Sequence, residues 1–159
     1  MKEITAMEIL KRCRDAEKDL RELDIKIERR RDILTNTGAP QGDPNGGGRS
    51  RGGQDKTGRL VAEIDELERL QEERKQERAV EQAALVALLD DVPELEGRVL
   101  YASYMKREKP EAIAKRLHMS AAYVRKKKRD GEEVLGLLSP ERVRSVLPKW
   151  YLEREEVRR

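Results

Sequence analysis

Apolar or small residues recur near the start of the chain at alternating four- and three-residue steps: Ile9, Cys13, Ala16, Leu20, Leu23 and Ile27, then Arg30 and Leu34. A strand buries every second residue and cannot produce this spacing, whereas a helix lays such positions along one seam. Residues 1–34 therefore read as one long helix whose heptad seam has a single charged member, Arg30. Thr5 precedes the first apolar turn and Glu8 stands three positions later, the pairing of a capping box. Cys13 lies on the seam as a small core residue, and as the only cysteine it excludes an internal disulfide.

A chain built on such helices needs little apolar material, and this one has little. Charged residues make up 42% against 36% hydrophobic, with no Phe, one Trp and four Tyr. That balance disfavours a sheet sandwich and points to an all-α fold of long amphipathic helices. No apolar run approaches the roughly 20 residues of a membrane span. The opening MKEITAMEILKRC also lacks the unbroken apolar stretch of a signal peptide. The expectation is a soluble cytoplasmic protein without membrane contact.

Residues 35–57 hold seven of the eleven glycines and two prolines, which reads as a flexible loop. It lacks the Gly-Lys-Ser ending of a phosphate-binding loop. A second helix is expected from about Gly58 to Asp91, its stripe begun by Leu60, Ile64 and Leu67 and resumed at Leu85, Leu88 and Leu89. Between them QEERKQER at 71–78 has little to bury. Residues 1–92 thus form a long helical hairpin interrupted by the Gly-rich loop, and its thin apolar face suggests a homo-oligomer.

Pro93 opens a different region. Residues 94–106 read as a shorter helix presenting Leu95, Val99, Leu100 and Tyr104 inward. Lys109-Pro110 starts another, with Ile113, Ala114 and Leu117 facing a core, and His118-Met119 makes a turn before Ser120 caps a helix over about 121–135. Residues 93–138 then have helix-turn-helix spacing. A short helical extension at 139–159 follows, with Val143, Val146 and Leu147 on an apolar side, a stop at Pro148, and Trp150, Tyr151 and Leu152 closing the small domain or docking elsewhere.

Charge is distributed unevenly over these regions. Residues 98–129 carry 11 basic and 2 acidic groups, net +9, while 58–97 carry 5 and 12, net −7. A positive field centred on a capped helix points to double-stranded DNA as partner. Arg125 is the first base-reading candidate, because a guanidinium engages a guanine edge bidentately. Lys126 and Arg129 read bases or clamp the backbone, and Ala122 can approach a thymine methyl. Lys115, Arg116, Ser120, Lys127 and Lys128 are phosphate-contact candidates. The core of the unit is assigned to Leu100, Tyr104, Ile113, Ala114, Leu117 and Val124.

Residues 98–135, RVLYASYMKREKPEAIAKRLHMSAAYVRKKKRDGEEVL, resemble the region-4 helix-turn-helix of sigma-70-type factors. The layout of residues 5–135 resembles small phage transcription regulators of the sigma-like or late-gene type, including the DUF1492 group. Leu100, Tyr104, Ile113, Ala114, Leu117, Ser120 and Val124 carry the resemblance. Lys127 departs from it, standing where that family's core often continues with an apolar residue. The resemblance implies binding at a promoter or other phage DNA site in the bacterial host, regulation of transcription, and contact with RNA polymerase. It implies no catalysis. No catalytic residue, metal ligand or cofactor is assigned: His118 is the only histidine, and there is no Cys/His array. Two other readings stay open, a small terminase-like packaging subunit and a helical protein-interaction adaptor.

Overall fold

The computed structural model describes residues 3–37 and 51–159. Among them are seven α-helices and no strand: α1 (Ala6–Thr37), α2 (Arg51–Leu89), α3 (Glu94–Leu100), α4 (Pro110–Leu117), α5 (Ala121–Gly136), α6 (Pro140–Ser145) and α7 (Lys149–Arg158). A π-helical turn, Tyr101–Met105, continues α3. The all-α expectation holds. Of the loop expected over 35–57, residues 35–37 belong instead to α1 and 51–57 to α2, and 38–50 lie outside the described residues. Helix α2 therefore begins ahead of Gly58, because adding a residue to a formed helix costs far less than nucleating one. Among the described residues no helix is long and apolar enough to cross a membrane.

The chain divides into two compact units, Met1–Ala16 with Gln76–Arg159, and Glu17–Lys75. In the second unit Leu20, Ile27 and Ile64 are buried, and Leu23, Leu34, Leu60 and Leu67 are half-buried. Ion pairs Asp19–Arg74 (3.6 Å), Arg30–Glu63 (3.0 Å) and Arg31–Glu68, with the Gln71–Asp24 hydrogen bond, link its two helical stretches. Residues 19 and 24 meet 74 and 71, whereas 30 and 31 meet 63 and 68, so the stretches run antiparallel. Arg30, the charged seam member, is half-buried against Glu63.

The first unit carries a larger apolar cluster drawn from distant parts of the chain. Ile4, Ile9, Leu10 and Cys13 meet Leu85, Leu88 and Val92, together with Leu100, Tyr104, Leu135, Val143, Leu147 and Tyr151. Thr5 caps α1 as expected, its Oγ1 accepting the Glu8 amide at 3.2 Å. The Glu8 carboxylate, however, pairs with Arg159.

The polar stretch at 71–78 supplies what its composition concealed. Glu77 and, just beyond, Glu81 are buried, as is Glu155 of α7. The Tyr151 hydroxyl donates to Glu81 at 2.5 Å and accepts from Arg12 at 2.6 Å. Arg12 also forks onto Glu155 at 2.6 and 2.8 Å, and Arg158 and Arg154 donate to Glu77 at 2.5 and 3.2 Å. Burial, then the bond to Glu81, push the Tyr151 phenol far above its usual range, keeping it a donor. The Arg12 hydrogen bond holds the Glu155 carboxyl below the usual carboxylate range. Buried charges persist only when paired and hydrogen-bonded, and among the described residues no buried side-chain polar atom lacks a partner.

Candidate nucleic-acid interface

Helices α4 and α5 form the region of interest within the first unit. Pro110 opens α4, where its fixed φ suits the first helical turn and its missing N–H costs nothing. His118 ends α4 in the left-handed conformation, φ 56°. The Met119 amide then reaches back to the Ala114 carbonyl at 3.0 Å, the six-to-one bond of a Schellman turn. Ser120 is extended, and its Oγ accepts the Tyr123 amide at 3.1 Å, capping α5. The connection from α4 to α5 thus leaves no slack.

A small cluster lies beneath that turn. Ile113, Ala114 and Val124 are buried with Val99 and Ala102, and Leu117, Met119 and Ala121 are packed against them. Leu100 and Tyr104, expected in the same core, belong instead to the large cluster. The cause is the geometry of α3 and its π turn. Val99 and Ala102 lie three apart on one face, Leu100 and Tyr104 four apart on another, so this stretch is buried on two sides. Sequence periodicity shows that a helix is apolar on both sides but not which neighbour each side meets.

Helix α3 also packs directly on α5 through Gly131. A Cβ there would stand 2.8 Å from Leu100 Cδ1 and 3.3 Å from Glu96 Cβ. Near it Lys127, half-buried, donates to Glu96 at 3.0 Å, and its ammonium lies 5.2 Å from the Tyr123 ring centre. The hydrogen bond from Lys127 holds the Glu96 carboxyl below the usual range and raises the Lys127 ammonium. Lys127 is thereby fitted into the position where the resemblance puts an apolar residue, with a carboxylate to receive its charge. Lys128 is half-buried and lies 5.1 Å over Tyr104, whose hydroxyl donates to Glu132 at 2.6 Å. Burial, then that bond, raises the Tyr104 phenol.

The opposite face of α5 is open. Ala122, Arg125, Lys126 and Arg129 are all exposed, and their spacing of three, four and seven places them along one stripe. Arg125 pairs with exposed Glu111 of α4, and Arg116 donates to Glu108 at 2.8 Å. Among the described residues Lys115, Lys126 and Arg129 enter no ion pair and are exposed. Ser120 is exposed beside them, its oxygen engaged as cap and its hydroxyl proton free to donate. The structure therefore brings Ala122, Arg125, Lys126 and Arg129 to one surface and sets Lys127 and Lys128 toward α3 and Tyr104. Glu96, Glu108 and Glu111, the carboxylates that meet the cations, were not singled out in the sequence; their positions 31, 8 and 14 residues from their partners fall outside any helical spacing rule.

Among the described residues no group of three or more His, Cys, Asp or Glu side chains is placed to hold a metal ion. No family model matches the chain, and neither a curated protein nor a solved structure does.

Proposed function

We propose that the protein binds double-stranded DNA without catalysing a reaction, using α4 and α5 as a helix-turn-helix with α5 in the major groove. The observation that carries this is the exposed cationic stripe Arg125, Lys126 and Arg129 on a helix whose start is fixed by a Schellman turn and a serine cap. A capped helix held at one angle can present the same side chains to successive base edges, which a loose lysine run cannot. Arg125 is the base reader, with Ala122 leaving the helix start slim. Lys126 and Arg129 serve bases or backbone, and Lys115, Arg116 and Ser120 serve phosphates. Lys127 and Lys128 contribute field from their half-buried positions.

Transcription regulation in the bacterial cytoplasm, with RNA polymerase as a further contact, is the role the sigma-like resemblance supports. Self-association through the antiparallel helices would present two copies to a symmetric site. The test is selection from random duplexes by the purified protein at physiological salt, then equilibrium binding of the enriched sequence beside a scrambled control. A recurrent motif bound about a thousandfold more tightly than its control, roughly the lower range of specific recognition, is expected. A folded protein that enriches nothing would reject sequence-specific recognition.

A further inference from the structure

This inference rests on the reading of α5 as the DNA-facing helix. Residues 98–129 hold only two carboxylates among 11 cations, Glu108 and Glu111, and each meets an arginine rather than a lysine. Glu111 lies in the first turn of α4, and both it and Arg125 are exposed. An exposed pair of this kind adds little to stability. Its effect is on where the Arg125 guanidinium is held and on what else can approach it.

We infer that Glu111 is a specificity-determining residue, which keeps Arg125 for base edges by withholding it from phosphates. A phosphate drawn to Arg125 must come close to the Glu111 carboxylate, and the like charges repel. A guanine edge is neutral and offers O6 and N7 as acceptors, so it meets no such barrier. Arg125 has five N–H donors and can serve the carboxylate and a base together. Glu111 itself can accept from a cytosine amino group but has nothing to offer a phosphate. The stripe then divides its work: Lys126 and Arg129, outside any ion pair among the described residues, answer to the backbone, and Arg125 answers to sequence.

The test compares the full chain with Glu111→Gln, which keeps the shape and removes the charge. The probes are the selected duplex and its scrambled control, each titrated over a salt series. The scrambled duplex should bind the variant about threefold to tenfold more tightly, with a log–log salt slope steeper by about 0.9, the value of one added phosphate contact. The selected duplex should change little, so discrimination falls. Glu111→Asp should retain much of the wild-type discrimination. In an Arg125→Ala background Glu111→Gln should no longer alter discrimination or slope. Equal tightening on both duplexes, no change on either, or an effect that survives Arg125→Ala would overturn the assignment. A wild-type chain that binds neither duplex shows its failure before any variant is made, and overturns the proposed function itself.

Discussion

Lys126 and Lys127 are adjacent in sequence, but only one of them is available to a ligand. Lys127 neutralises Glu96 where α3 meets α5, whereas Lys126 is exposed on the open stripe. Lys127→Ala should lower the melting temperature, because it leaves the buried Glu96 carboxylate without its ammonium partner. Lys126→Ala should leave the melting temperature unchanged while weakening specific and random DNA alike and flattening the salt slope by about one contact. Thermal melts and salt titrations of the two variants separate these roles. The conformation of His118 gives a second prediction at this scale. Its φ of 56° is one in which an L side chain crowds the following carbonyl, and glycine avoids that cost. Its side chain is exposed, so His118→Gly should raise stability by up to about 1 kcal/mol, read as a higher denaturant midpoint.

At the scale of elements, α5 contains a glycine that lowers its own propensity. Alanine would improve the isolated helix by about 1 kcal/mol, but at Gly131 its Cβ would press on Leu100, which is fully buried and cannot yield freely. Gly131→Ala should therefore destabilise the protein by about 1–3 kcal/mol, the usual cost of overpacking, in equilibrium unfolding. The docking of α7 adds charge to the packing of Tyr151. Because Arg12 depresses the folded Glu155 pKa, this contribution is fully present above the unfolded glutamate value of about 4.3 and is lost as pH falls through the lower, folded value. Melting temperature should accordingly drop with acidification below that range, and Arg12→Met should flatten the dependence. Tyr151→Phe removes the hydroxyl shared by Glu81 and Arg12 and should cost about 1–3 kcal/mol. Boundaries set by local chemistry were legible in advance: the Thr5 cap, the proline at the start of α4, and the Ser120 cap. The buried carboxylates at 77, 81 and 155 were not, because each looks solvated until a partner from the other end of the chain is beside it.

For the molecule as a whole, the positive segment should make DNA affinity steeply salt-dependent. Removing the three exposed cations Lys115, Lys126 and Arg129 together should flatten the log–log slope by about 2.7, measured by titration at several ionic strengths. The candidate interface was legible in its stripe, since Ala122, Arg125, Lys126 and Arg129 follow from helical period alone. Its wiring was not, because Glu111 reaches Arg125 across a turn and Glu96 reaches Lys127 from another helix. The larger cluster has a consequence for synthesis. Ile4, Ile9 and Leu10 are made well before Tyr151 and Leu147, which share their core. At about 5–20 residues per second the wait is on the order of ten seconds. During that interval the basic helices α4 and α5 emerge while the early apolar side chains still lack their final cover. The stretch that carries the candidate interface is thus made before the unit around it can close, and α7 is the element that closes it.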